Sequence, residues 1–243
     1  MSSSNYAATQ NRLSPNFDPQ SQPVVKLADS DLLLPDSIRL DFIREAFRQP
    51  VSWQVEPIFA ESFSSYCSKE HALLRHAAVF MPLIQRGPDV HVLFTKRTEH
   101  LSDHAGQICF PGGSTDPSDK SEIETALRET HEEIGVSREY IQLIGTQPAY
   151  ITVSQFLMTP VVGVLKPGFK ITPDTNEVAE VFEVPLQVLL DPRKHRLHKL
   201  PAKIGNERYY FSMQWENHFI WGATAALIRN FYHFMVAAQK TLK

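Results

Sequence analysis

The chain has 243 residues, 42% of them hydrophobic and 21% charged, which is enough apolar material for a sizeable core in one domain with extensions. A net charge of −3 excludes a global pull toward nucleic acid or an anionic membrane, though not toward a small anion that feels the local field. The two cysteines, Cys67 and Cys109, have no CxxC spacing; this argues against a disulfide framework or zinc knuckle and suits a reducing, cytoplasmic setting.

Residues 1–35 are expected as a flexible arm that cannot bury enough apolar surface to offset its ordering entropy. Within them Met1 to Gln22 lacks the apolar run of a secretory signal. Residues 36–243 are expected to form a single domain. Asp36 to Phe47 predicts a helix with Ile38, Phe42, Ile43, Ala46 and Phe47 on one face, ended by Pro50. Ala77 to Ile84 and Val90 to Thr95 flank the turn Arg86-Gly87-Pro88-Asp89 and predict a β-hairpin. A short strand is expected at Gln107 to Phe110, then a turn at Pro111-Gly112-Gly113, then a helix over Ser121 to Ile134 stopped by Gly135. Strands follow at Tyr140 to Thr146, Met158 to Leu165, Val178 to Val184 and Tyr209 to Trp215, with a short helix at Leu186 to Leu190. A long helix closes the chain from Trp221 to Gln239; Arg229, Asn230 and His233 in its middle are too polar for a membrane span. The order predicts an α/β sandwich, with a mixed sheet between helices and no regular βαβ alternation.

The segment Arg128-Glu129-Thr130-His131-Glu132-Glu133-Ile134-Gly135-Val136 carries the chemistry. Helical spacing puts Glu129 on one face with Glu132 and Glu133, while Ile123, Ala126, Leu127, Thr130 and Ile134 take the other. Like charges at these spacings destabilise a helix by about 0.2–0.5 kcal/mol per pair. The last turn also carries the negative end of the helix dipole. Two local rules broken in one turn point to a site that collects positive charge, and a hard divalent cation with oxygen ligands fits. A solvated acidic face is the competing account. Phe110-Pro111-Gly112-Gly113 just upstream adds backbone that can approach a ligand closely.

These residues resemble the Nudix box, Gly-x5-Glu-x7-Arg-Glu-U-x-Glu-Glu-x-Gly-U, where U is bulky and aliphatic. Arg128 to Val136 match its second half apart from Thr130. Counting back, Lys120 stands where the first Glu belongs and Ser114 where the Gly belongs; counting forward from Gly113, Asp119 takes the acidic place in a loop one residue longer. The lengthened loop is similar to that of the coenzyme A diphosphatase branch. So is the upstream string Leu93-Phe94-Thr95-Lys96-Arg97-Thr98, then Ser102, Gly106 and Phe110 to Gly113; it departs at Thr98, where that branch has Ser or Ala, and at Ser102, where it has Arg. Downstream, Thr159 to Gly163, Glu177 to Phe182 and Trp221 to Ala225 continue the likeness, so that roughly Ala77 to Ala238 is covered.

The resemblance implies an α/β/α sandwich and metal-dependent hydrolysis of a nucleoside diphosphate linked to another group, with Mg²⁺ or Mn²⁺ as cofactor. It implies Glu129 and Glu133 as metal ligands, Glu132 as a third ligand or a residue orienting water, and Arg128 holding a carboxylate in place. Glu177 and Glu180 are the later candidates for general base. Lys96 and Arg97 are candidates to meet phosphate, and His104, Gln107, Phe110, Gly112 and Gly113 to line the substrate site. A basic stretch, Asp191 to Arg208, could meet a further phosphate or be a solvated loop. For coenzyme A the products would be 4′-phosphopantetheine and adenosine 3′,5′-bisphosphate. Alternatives are the same chemistry on ADP-ribose, NADH or another nucleoside diphosphate derivative, and a non-catalytic ligand-binding module that kept the fold. The expected partner is a small nucleotide substrate, without nucleic acid or membrane, and a homodimer is compatible with it.

Overall fold

Strands in chain order are β1 (Val24–Val25), β2 (Arg75–Arg86), β3 (Asp89–Arg97), β4 (Ile108–Cys109), β5 (Gly112–Ser114), β6 (Ile141–Thr146), β7 (Tyr150–Ile151), β8 (Phe156–Leu165), β9 (Val178–Pro185), β10 (Arg196–Lys199), β11 (Tyr209–Trp215) and β12 (His218–Trp221). The helices are α1 (Leu40–Arg48), α2 (Glu122–Ile134), α3 (Leu186–Leu189) and α4 (Gly222–Leu242). They belong to a computed structural model that describes residues 17–27, 30–58, 74–101, 104–152, 154–200 and 208–243.

The larger sheet has the order β4-β3-β2-β8-β6, with β5 on β2, β7 on β8 and β9 on β3. β2 and β8 run parallel from Arg75↔Phe156 to Ile84↔Leu165, while β2 and β3 form the expected hairpin, closing at Arg86↔Asp89. The sheet is therefore mixed. Both of its faces are covered, which is why β2 reads as a continuous apolar run rather than an alternating one. Val79, Met81 and Leu83 pack into a core shared with α1 and α4, and Ala78, Phe80 and Ile84 into a second core under α2. This is the α/β/α sandwich expected. No helix among the described residues is long and apolar enough to cross a membrane.

Several expectations need correction. The helix over Asp36 to Phe47 is split: Pro35–Ile38 form a 3-10 turn, Arg39 is extended, and α1 starts at Leu40. The turn expected at Pro111-Gly112-Gly113 ends in strand β5, paired through Gly112↔Val79 and Gly113↔Ala78. The arm expected over 1–35 does not hold for its described residues. Val24 and Val25 pair with β10 as the edge of a second antiparallel sheet, β1-β10-β11-β12, and Tyr210 Oη donates to Pro19 O at 2.5 Å. Leu27 and Leu33 pack on the first core. Residues 1–16 lie outside the described residues. So do Cys67, Ser102, Lys203 and Glu207. The basic stretch contributes strand β10, and Arg193 is engaged by Asp191 at 2.8 Å.

A polar knot joins α4 to the segment before residue 58 and to α3. Buried Glu56 accepts from Arg229 Nε and His233 Nε2, both at 2.8 Å, and its N–H donates to Asn230 Oδ1 at 3.0 Å. His195 Nε2 lies 2.7 Å from Leu189 O, so it carries the proton, and Nδ1 accepts from Arg229 Nη1 at 3.1 Å. Burial therefore keeps His195 neutral and lowers its pKa to about 4. A histidine depressed in the folded state stabilises the fold above its unfolded pKa and loses that contribution as pH falls toward the folded one. Going from pH 7 to pH 5 is expected to cost about 2 kcal/mol through this group. Denaturant unfolding at the two pH values should show the loss, and His195→Gln should flatten it; an unchanged pH dependence in the variant would refute the assignment.

Candidate active site

Helix α2 is capped at both ends by its own sequence. Ser121 Oγ accepts from Glu124 N at 3.3 Å, and Gly135 adopts φ 71°, closing the C-terminus through its N–H to His131 O. The last two carbonyls of the helix are taken by a strap from the loop before β9, with Thr172 N donating to Ile134 O and Asp174 N to Glu133 O, both at 2.9 Å. Ala126, Leu127 and Ile134 seat the helix on the sheet, as the periodicity predicts. Thr130 is fully buried and satisfies its hydroxyl on Ala126 O at 2.6 Å.

The carboxylates turn toward β5, where the two glycines have distinct uses. A Cβ on Gly112 would stand 2.4 Å from Ala78 O, so only glycine lets β5 lie against β2 here. A Cβ on Gly113 would stand 2.5 Å from the Glu129 carboxyl carbon, so its absence makes the room that Glu129 occupies. Glu133 is buried at 4% exposure and bonded by the Gly112 N–H, yet its Oε2 has no partner among the described residues. Burial pushes its carboxyl up to about 8, with the charges of Glu129 and Glu177 adding to the rise and Arg97 opposing it. Glu129 is likewise raised, by burial first, against the pull of Arg128 and with Glu132 and Glu177 adding to the rise. Glu132 stands at the rim with 56% of its side chain exposed.

Arg128 organises this group. Its Nε and Nη2 grip Asp119 at 3.0 and 2.8 Å, Nη1 reaches Glu129 at 2.8 Å and Glu132 at 3.0 Å, and Nη2 also donates to Ser114 O. Asp119 is nearly buried and also accepts from Thr125 Oγ1 and Asp116 N, both at 2.9 Å. The Arg128 hydrogen bonds hold its carboxyl well below the usual range. The residue that takes the acidic place of the box thus performs the clamping, and Lys120 plays no part in it. Asp119 was not among the site residues expected from the sequence; only its alignment with the acidic place hinted at it.

The other expected residues divide. Arg97 belongs here: its charge acts on Glu133, and its Nε is buried without a partner among the described residues. Glu177 belongs too, since both Glu129 and Glu133 feel it. Glu180 does not. Strand alternation sets it on the face of Phe182, opposite Val181, which packs on the α2 side, and it bonds His218 Nε2 at 3.0 Å. Phe110 is core rather than lining, 2% exposed and stacked on Phe94 at 4.9 Å. His104 Nδ1 and Gln107 Oε1 hold each other at 3.0 Å in the loop before β4, and Lys96 lies 3.9 Å from Glu99. Cys109, unremarked as a site residue in the sequence, feels Glu133 and Arg97; burial pushes its thiol up to about 12, so it stays protonated.

This donor set fits a hard divalent cation. A buried carboxylate oxygen lacks a partner, carboxylates raise one another, and a glycine cradle leaves space beside them. No three His, Cys, Asp or Glu among the described residues already form a ligand group. Mg²⁺ asks for fewer protein ligands than that and completes its shell with water and phosphate. The two glycines should separate in mutation. Gly112→Ala is expected to destabilise the fold by about 3 kcal/mol, because backbone must move. Gly113→Ala should cost under about 1 kcal/mol, because a side-chain end can yield, yet weaken Mn²⁺ binding by displacing Glu129. Denaturant unfolding and Mn²⁺ titration followed by electron paramagnetic resonance would check both; equal effects would contradict the assigned uses.

Comparison with known proteins agrees with the geometry. The model of the NUDIX domain matches residues 74–204. The uncharacterized Nudix hydrolase NudL of Photorhabdus laumondii is 40% identical over 154 residues, covering 63% of this chain and 81% of the relative. The uncharacterized NudL of Yersinia enterocolitica is 42% identical over 156 residues, covering 63% and 78%. Among solved structures, a Nudix hydrolase from M. smegmatis, RenU, is 24% identical, covering 48% of this chain and 74% of that one at a TM-score of 0.41, which by itself carries no weight. The matched span holds β2 to β10 with the whole carboxylate helix, and the chain belongs to the Nudix hydrolase family.

Proposed function

We propose that the chain hydrolyses the diphosphate linkage of coenzyme A or its derivatives, giving 4′-phosphopantetheine and adenosine 3′,5′-bisphosphate. The observation that carries the reading is the placement of Leu93 to Arg97 and of Ile108 to Gly113, two described parts of the stretch that resembles the coenzyme A branch. It delivers Arg97 next to Glu133, with a free buried Nε, and Gly112 and Gly113 beneath Glu133 and Glu129. Arg97 suits a diphosphate oxygen, as a guanidinium donates in a planar fork. Glu129 and Glu133 would hold Mg²⁺ or Mn²⁺, with Glu132 at the rim. When bound, the cation supplies neutralisation of phosphoryl charge and acidification of water. Glu177 takes the proton of the attacking water. The water oxygen bonds to one phosphorus, the anhydride bond from that phosphorus to the bridging oxygen breaks, and the bridging oxygen leaves on the other phosphate. Arg128 keeps Glu129 and Glu132 apart and in place throughout. Lys96, His104 and Gln107 border the loop through which the rest of the substrate would extend. Activity on ADP-ribose or NADH is a second reading, favoured by Ser102 standing where the coenzyme A motif has an arginine.

With Mg²⁺ or Mn²⁺, turnover of coenzyme A is expected to exceed that of ADP-ribose and NADH by at least about tenfold in kcat/KM, or about 1.4 kcal/mol. No preference would sink the substrate assignment. Product analysis in ¹⁸O water would show which phosphorus is attacked. Glu133→Gln should lower kcat by more than about 100-fold, beyond the usual effect of disturbing an outer-shell partner; a variant as active as the parent would point instead to a binding module. Because the Glu133 carboxyl is raised to about 8, cation binding must release its proton. Mn²⁺ affinity should therefore rise between pH 7 and pH 9 in the parent, and much less in Glu133→Gln.

A further inference from the structure

We propose that Thr98 is a positioning residue for Glu177, acting through the strap that carries it. This rests on the role given to Glu177 above. Thr98 follows the last residue of β3 and is only 7% exposed. Its N–H donates to Glu177 O at 3.0 Å, and its hydroxyl donates to Asn176 O, also at 3.0 Å. One residue thus holds two consecutive carbonyls of the strap. The other side of the strap is fastened to α2 by Asp174 N on Glu133 O and Thr172 N on Ile134 O. Inside it, Asp174 Oδ1 accepts from the backbone and side-chain nitrogens of Asn176, both at 2.9 Å, and Asp174 O accepts from Glu177 N at 3.0 Å.

Glu177 itself is exposed, and among the described residues no hydrogen bond of its carboxylate restrains it. Its placement comes from the backbone on which it stands. That backbone is tied on one side to the residue that follows the Lys96-Arg97 strand and on the other to the helix end that carries Glu133. The arrangement keeps three acidic side chains, two from α2 and one from the strap, close enough for Glu129 and Glu133 both to feel Glu177. Such groups repel one another, so a freely moving Glu177 would swing into solvent, and a fixed backbone opposes that. The position aligned with Thr98 holds Ser or Ala in the coenzyme A motif. A serine there could make both bonds, whereas alanine would keep the N–H bond alone, so the hydroxyl bond is the restraint that threonine and serine share.

The test is a double-mutant cycle with Thr98→Val, Thr98→Ser and Glu177→Gln in the full chain. Two readouts are used: kcat and KM for the diphosphate substrate, and Mn²⁺ affinity of the substrate-free protein by calorimetry. Loss of one hydrogen bond predicts that Thr98→Val lowers kcat about fivefold with KM unchanged, and weakens Mn²⁺ binding by a similar factor. Thr98→Ser should restore both. In the Glu177→Gln background Thr98→Val should change neither, because the two residues act as one unit. Amide exchange across residues 174–178 should be faster in Thr98→Val, a readout that stands even if that variant loses stability. Additive losses in the double variant, or unchanged exchange, would overturn the positioning role while leaving Glu177 in place. A Glu177→Gln variant with parental kcat and Mn²⁺ affinity would overturn both assignments.

Discussion

The geometry of the site depends on one guanidinium. Arg128 has five N–H donors, and each finds an oxygen: two on Asp119, one each on Glu129 and Glu132, and the Ser114 carbonyl. Without it, Glu129 and Glu132 would face each other and Glu133 across a single helical turn with nothing to separate them. With it, the spacing that looks unfavourable in the sequence becomes a fixed frame. Asp119 supplies the counter-anchor, so the frame is held from the loop as well as from the helix.

What the frame leaves unresolved is Glu133. It is buried against backbone glycines, raised by its neighbours and short of a partner for one oxygen. A fold that needed only stability would replace such a group with an apolar one. Its retention in the same turn as a well-satisfied neighbour is the kind of local conflict found where a protein keeps capacity for a positively charged ligand. The rest of the sandwich supports that conflict at a distance: two packed cores fix β2 and α2, and β2 fixes the glycine strand.

Long elements with a strong period were legible in the sequence. The β2–β3 hairpin, α2 with its glycine stop, and the long terminal helix all appear where periodicity and turn chemistry place them. The short strands β1, β7, β10 and β12 were not, since two to four residues carry no period of their own and form only because a neighbour offers an edge. The site divides in the same way. Glu129, Glu132, Glu133 and Arg128 are one contiguous helical pattern and could be read directly. The difference between Glu177 and Glu180 could not, because it depends on which face of β9 turns toward α2, and that is fixed only by the packing of Val181 and Phe182 on opposite cores. Phe110 and Asp119 are the two cases where proximity in sequence misled. The phenylalanine next to the glycines turns into the core, and the aspartate one place away from the nominal acidic position is the one that reaches Arg128.

That last displacement bears on how this loop tolerates change. The acid stands on the count from Gly113 but one residue early on the count back from Arg128, and the two-point grip on Arg128 still closes. Lengthening a loop by a residue adds very little closure entropy. What the fold enforces is therefore the return of a negative group to the guanidinium and not a particular count of residues. For protein engineering, the join between Asp119 and the start of α2, where this chain itself carries the additional residue, marks the place where a further residue could be carried close to the site without unmaking it, provided Asp119 still reaches Arg128 and Ser121 still caps the helix.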